Sequence, residues 1–402
     1  MLNKFQKKSI TFSCFILVVG LMGMDFINPS LPYIMKALSS SEYATKYLIV
    51  VYLLGVGLSQ FIYGTYSDNH GRRKAIIIAL IITCLGTLLS SFSTSINQLY
   101  IFRFITGVGA GGAPVIARAI ISDVCNDNIA IKKAFAYFSM SSQISPAVAP
   151  LIGALLQQAF SWRIVFVGLL FITIMAAIIL FLNLRETHDI PKQKKSYFQQ
   201  TLIYLDTFKN IRFIALNFAS AFIFVVTIAY YSYMPFILHS YDYSPIENAL
   251  VYIIYAMGIV SGSFLLAKYL SKLSSEFVFK ACLLLYFTFS VLFIVAFLFI
   301  PKSLLLIFLV TATFSTLCGI SAPLTLSMCM HGFTANKGAA SAVQSFIKMF
   351  FTGIALMAFN FISMHSMISL MLCYFILCFL ILACFYIATH CESKVFPPHL
   401  TP

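Results

Sequence analysis

Apolar runs of roughly 20 residues, the length a helix needs to cross a bilayer, follow one another along nearly the whole chain. They are continuously apolar, whereas the strands of a membrane barrel alternate. Runs fall at 10–35, 47–66, 75–93, 99–121, 134–160 and 164–184, and resume at 213–238, 249–270, 277–300, 304–330, 339–364 and 367–389. Between the two groups of six lies Arg185-Glu186-Thr187-His188-Asp189-Ile190-Pro191-Lys192-Gln193-Lys194-Lys195, which is too charged to cross. The pattern predicts an all-α integral membrane protein of twelve transmembrane helices. Its parts are a six-helix bundle over 1–184, a cytoplasmic linker over 185–212, and a second six-helix bundle with a short tail over 213–402.

Composition agrees, since 60% of the chain is hydrophobic and only 9% charged, too little polar surface for a soluble protein of 402 residues. The net charge of +14 would point to nucleic acid in a soluble protein. Here topology accounts for it, because cytoplasmic loops collect Lys and Arg. With the N-terminus inside, 19 of the 26 basic residues fall on the cytoplasmic side. Lys36, Lys46, Arg163 and Lys302 fall outside, and Arg103, Arg118 and Lys348 lie within runs. Both termini are therefore placed in the cytoplasm of a cell bounded by this inner membrane. The ten cysteines sit mostly within runs, with no spacing suited to zinc. The first run lacks a clear cleavage site and carries Asp25, so it reads as a retained span.

Polar residues inside the runs carry the chemistry. Of twelve acidic residues, Asp25 alone lies deep in a run, about 22 Å along a helix from Ile10. An ionised carboxylate is costly there, which suits the group to taking up and releasing a proton as water reaches it from alternate sides. A structural aspartate hydrogen-bonded to a nearby Ser or Asn is the other use of such a residue. Pro29, four residues on, cannot bond the Asp25 carbonyl, so a local kink is expected. Arg103, about 6 Å into the fourth run, either partners Asp25 or snorkels to the interface. Arg118, near the far end of that run, reads as a structural residue within easy reach of the interface. Lys348, about 14 Å into the eleventh run, either attracts an anionic or zwitterionic substrate group or fills a polar crevice.

A short charged bridge, Gly64-Thr65-Tyr66-Ser67-Asp68-Asn69-His70-Gly71-Arg72-Arg73-Lys74, joins the second and third runs as a tight polar hinge. It resembles the G-x-x-x-D-x-x-G-R-R/K-R/K loop of the major facilitator superfamily, with Gly64, Asp68, Gly71, Arg72 and Arg73 in place. Arg103-Phe104-Ile105-Thr106-Gly107-Val108-Gly109 resembles the family's fourth-helix R-x-x-x-G-x-G motif. The stretch from Ser145 to Gly153, with Pro146 and Pro150, resembles its fifth-helix antiporter motif. Together with Asp25-Phe26-Ile27-Asn28-Pro29-Ser30-Leu31-Pro32, that form is similar to the Bcr/CflA-type drug:proton antiporters. The second half departs from the pattern, because 267–272 keeps only the basic charge of the hinge loop.

The resemblance implies two six-helix bundles around a central cavity, and export of small drug-like compounds in exchange for protons. It implies proton coupling at Asp25 and Arg103, and a conformational latch made by the hinge loop with Asp123. Tyr231 and Tyr255 of the seventh and eighth runs are expected to line the substrate cavity with Lys348. The alternative is a proton-coupled transporter of one metabolite, such as an organic anion or siderophore. No G-x-x-x-x-G-K-S/T for nucleotide phosphates and no catalytic or metal-binding signature occurs. A proton gradient is thus the expected energy source, with no cofactor and no enzymatic activity. The expected partners are a small-molecule substrate, protons and the lipid bilayer, not nucleic acid, and a monomer suffices.

Overall fold

The computed structural model describes residues 4–125, 144–188, 206–330, 337–360 and 366–390, together with 134, 137–138 and 140–142. Among these residues every regular element is helical. The first half holds α1 (Lys4–Asp25), α2 (Leu31–Ala37), α3 (Glu42–His70), α4 (Arg72–Ser91), α5 (Ile96–Ala110), α6 (Gly112–Val124), α7 (Ile144–Ala159) and α8 (Trp162–Asn183). The second holds α9 (Ile211–Ser240), α10 (Pro245–Lys268), α11 (Ser275–Phe299), α12 (Leu304–Met330), α13 (Lys337–Asn360) and α14 (Met367–His390). Eleven spans among the described residues are long and apolar enough to cross a membrane, α1 with α2 and α5 with α6 each counting as one. The shorter apolar α7 takes the fifth place. Part of its expected run, 189–205 of the linker, and Lys394 of the tail lie outside the described residues.

Local chemistry sets the helix starts. Ser41, Ser95 and Ser274 each accept a backbone N–H three residues on, as N-cap serines do. Ser244 and Glu247 form a reciprocal capping box at the head of α10, just before Pro245.

Two expected features come out differently. The kink expected at Pro29 is a full interruption: α1 ends at Asp25, Asn28–Ser30 form one 3₁₀ turn, and α2 starts at Leu31. Pro29 and Pro32 together remove two N–H donors, so the break opens beside Asp25 itself. The hinge from Gly64 to Lys74 is not an extended loop. Helix α3 runs on to His70 and α4 starts at Arg72, leaving only Gly71 between them. Gly71 makes this possible with φ +91°, a conformation glycine adopts without strain.

Among the described residues the two halves meet chiefly where α3 packs on α13, α7 on α10, and the broken first span on α9. Phe61 and Phe346 meet across the first pair in a tilted arrangement with ring centroids 4.6 Å apart. Away from this seam the helices present large apolar side chains outward, such as Phe171, Leu182 and Phe299. Lipid, not water, is the solvent such a surface calls for. This is a multi-pass membrane protein.

Candidate functional site

Asp25 sits at the break in the first span and is 2% exposed. Its Oδ2 accepts a hydrogen bond from Ser145 Oγ at 2.8 Å, while Oδ1 has no partner among the described residues. Helix α7 reaches it because Gly153 lets the two backbones close: a Cβ there would stand 2.0 Å from the Phe26 carbonyl oxygen. Ser145, Ala149 and Gly153 are spaced four apart and share one helix face, so the contact at Gly153 aims Ser145 at the carboxyl. Pro146 and Pro150 lie on the same helix, with Pro150 inside it. The turn just after Asp25 packs against α9 and α10 of the second half. The carboxyl therefore stands at the seam.

Arg103 is completely buried, so it does not snorkel. Neither does it pair directly with Asp25. Its Nη1 donates to the Gly23 carbonyl at 2.9 Å, two residues before the aspartate, and its guanidinium lies 4.4 Å from the Tyr52 ring centroid. Nε and Nη2 have no hydrogen-bond partner among the described residues. The Tyr52 hydroxyl in turn donates to the Gly20 carbonyl at 3.3 Å. An open carboxyl oxygen and two open guanidinium nitrogens in one buried place are costly unless protons or water fill them.

The latch residues come together where α3 turns into α4. Arg72 donates from Nε to Asp123 Oδ2 at 2.8 Å, and from Nη1 to Asp68 Oδ1 at 2.6 Å and Ser67 Oγ at 2.8 Å. One guanidinium thus binds α3, α4 and α6. Arg73 donates to the Phe181 carbonyl at 2.6 Å, and the Gly64 carbonyl accepts from Ser67 Oγ inside α3. Glu186 is a member the sequence reading missed. Its Oε1 accepts the Arg72 N–H at 2.8 Å and its Oε2 the Arg73 N–H at 3.1 Å. It thereby caps the start of α4, where open N–H groups and the helix dipole favour a carboxylate. Gly71 leaves it room, since a Cβ there would stand 2.4 Å from Glu186 Oε2.

Tyr230, Tyr231, Tyr252 and Tyr255 form one aromatic cluster with centroids 5.0–6.1 Å apart. The Tyr255 hydroxyl is held inside the second half by Thr227 at 2.8 Å, whereas the Tyr231 hydroxyl has no partner. Lys348 is half-buried, with its ammonium 4.9 Å from the Phe224 ring centroid. Arg118 does not reach for the interface. It crosses the seam, donating to Ser345 Oγ at 2.8 Å.

A family model described as Major Facilitator Superfamily matches residues 13–358. The chain belongs to the major facilitator superfamily. Among curated relatives in this superfamily, it is 29% identical to the uncharacterized MFS-type transporter YdgK of Bacillus subtilis, over 63% of each chain. It is 32% identical to multidrug resistance protein D of Escherichia coli over 39% of each chain. It is 23% identical to the bicyclomycin resistance protein homolog of Haemophilus influenzae, over 70% of this chain and 72% of that one. The first two are thus matched over less than two thirds of their length. The xylose transporter XylE from Escherichia coli, in a partially occluded inward-open conformation, is 13% identical and superposes with a TM-score of 0.75, covering 98% of this chain and 99% of that one. That likeness carries the major facilitator fold alone. The family model confirms the expected superfamily, and the all-helical structure with this fold likeness agrees with the twelve-span architecture.

Proposed function

We propose that this transporter exports small, drug-like organic compounds across the cytoplasmic membrane in exchange for protons. The observation that carries the reading is the geometry of Asp25: buried at the seam, beside a helix break, with one oxygen bonded to Ser145 and the other open. An open oxygen has room for a proton, and the seam is where rocking bundles alternately admit water. The relatives named for multidrug and bicyclomycin resistance support the class of cargo. In this reading both termini face the cytoplasm, a monomer carries out the cycle without a cofactor, and the Arg72 cluster holds the cytoplasmic helix ends until each turnover releases them. The protein acts as a transporter and not as an enzyme.

Reconstitution in proteoliposomes with an imposed pH gradient tests this. Substrate is expected to move against the proton flow, and movement with it overturns antiport. A second reading, transport of a specific organic anion, is favoured by Lys348 and Arg118 at the seam.

A further inference from the structure

Three cations and a single carboxyl lie deep in the spans, and their placement is uneven. Arg103 is committed to the Gly23 carbonyl and the Tyr52 ring, near Asp25. Arg118 and Lys348 form a separate pair. Arg118 comes from α6 in the first bundle, fixed by its own Pro114 carbonyl at 2.9 Å and by Ser345 of the second bundle at 2.8 Å. Lys348 comes from α13, three residues past Ser345 and so nearly one turn along the same face. Both cations therefore flank Ser345 at the seam. Among the described residues no carboxylate pairs with Lys348.

We infer that Lys348 and Arg118 form a receptor for an anionic head group, and that organic monoanions carrying an aromatic ring are a substrate class of this transporter. The inference rests on the export reading above and names its cargo. Like charges converging in an apolar seam repel each other, and an anion between them turns that repulsion into two charge-assisted hydrogen bonds. Phe224, already against the Lys348 ammonium at 4.9 Å, offers a ring face to the body of the same ligand. The two cations belong to different bundles, so a bound anion ties the seam together and its departure frees it. A dicationic cargo meets only repulsion here.

The test measures binding of 1-naphthoate, 1-naphthamide and 1-naphthylmethylamine to the purified protein in phosphatidylcholine nanodiscs, by equilibrium dialysis. The carboxylate is expected to bind about tenfold tighter than the amide, a difference of about 1.4 kcal/mol. Lys348→Gln is expected to remove that advantage and leave amide binding unchanged, and Lys348→Arg to restore it. Equal affinity for carboxylate and amide, no carboxylate binding, or an unchanged carboxylate affinity in Lys348→Gln overturns the inference. If Lys348→Gln loses amide binding as well, Lys348→Arg decides: regained carboxylate binding upholds the charge requirement, and its absence overturns it. Lys348-dependent binding without pH-driven movement defeats the export reading and leaves this site standing. Export of a cation on a pH gradient, with no carboxylate binding, does the reverse.

Discussion

Ser145 Oγ donates to Asp25 Oδ2 at 2.8 Å, across 120 residues of sequence, and so joins the fifth span to the break in the first. Helix α7 is thereby tied to the first span at Asp25 and packs against α10 across the seam of the two halves.

Replacing the carboxyl removes the proton and keeps the shape. Asp25→Asn is expected to abolish gradient-driven accumulation while substrate binding changes less than about threefold, under 1 kcal/mol. Transport by proteoliposomes and equilibrium binding on the same preparation separate the two. Normal pumping by the variant removes Asp25 from the coupling mechanism.

Ser145→Ala leaves both carboxyl oxygens without a partner. A loss of about 1–3 kcal/mol of stability is expected for a buried group stripped of its hydrogen bond. In a double-mutant cycle with Asp25→Ala, thermal unfolding in detergent is expected to show coupling of about 0.5–3 kcal/mol. Strict additivity means the bond contributes nothing.

Arg72 is 6% exposed and divides its guanidinium between Asp68 and Asp123. Removing either carboxylate leaves the other in place, so each loss stays below the roughly 3–5 kcal/mol of a fully stranded buried charge, yet unbalances the cluster. Asp123→Asn and Asp68→Asn are therefore expected to slow substrate exchange about tenfold or more with little change in binding. An exchange rate equal to that of the unaltered protein dismisses the latch.

At the head of α4, Glu186→Ala opens the N–H groups of Arg72 and Arg73 that the carboxylate now accepts. A capping loss of about 0.5–2 kcal/mol is expected, read as faster limited proteolysis around residue 186. Gly71→Ala is expected to be worse, because it adds strain at φ +91° and pushes a methyl group into that carboxylate. If the two variants resist protease as the parent does, Glu186 is not holding this turn.

Much of the fold is legible in the sequence because hydrophobic length is a local quantity. The tenth run, 304–330, coincides with α12, and most others differ from their helices by a few residues at the ends, although the first and fourth are each split between two helices and the fifth, 134–160, begins ten residues before α7. Asp25 stands out for the same reason, as one acid surrounded by apolar neighbours. Glu186 does not stand out, since it sits among other charges of the linker and meets Arg72 across 114 residues. Arg103 shows how far spacing goes: its depth is readable, but its acceptor is a backbone carbonyl that no pattern marks.

By itself the sequence determined that a series of apolar spans crosses a bilayer and which charged residues fall within them. A bilayer makes every span satisfy its own backbone, and that demand is written residue by residue. Tertiary structure alone decided which partner each charge meets: Ser145 for Asp25, the Gly23 carbonyl for Arg103, Ser345 for Arg118. Those pairings depend on how each helix is rotated and how closely its neighbours approach, and both are set by packing between residues far apart in the chain.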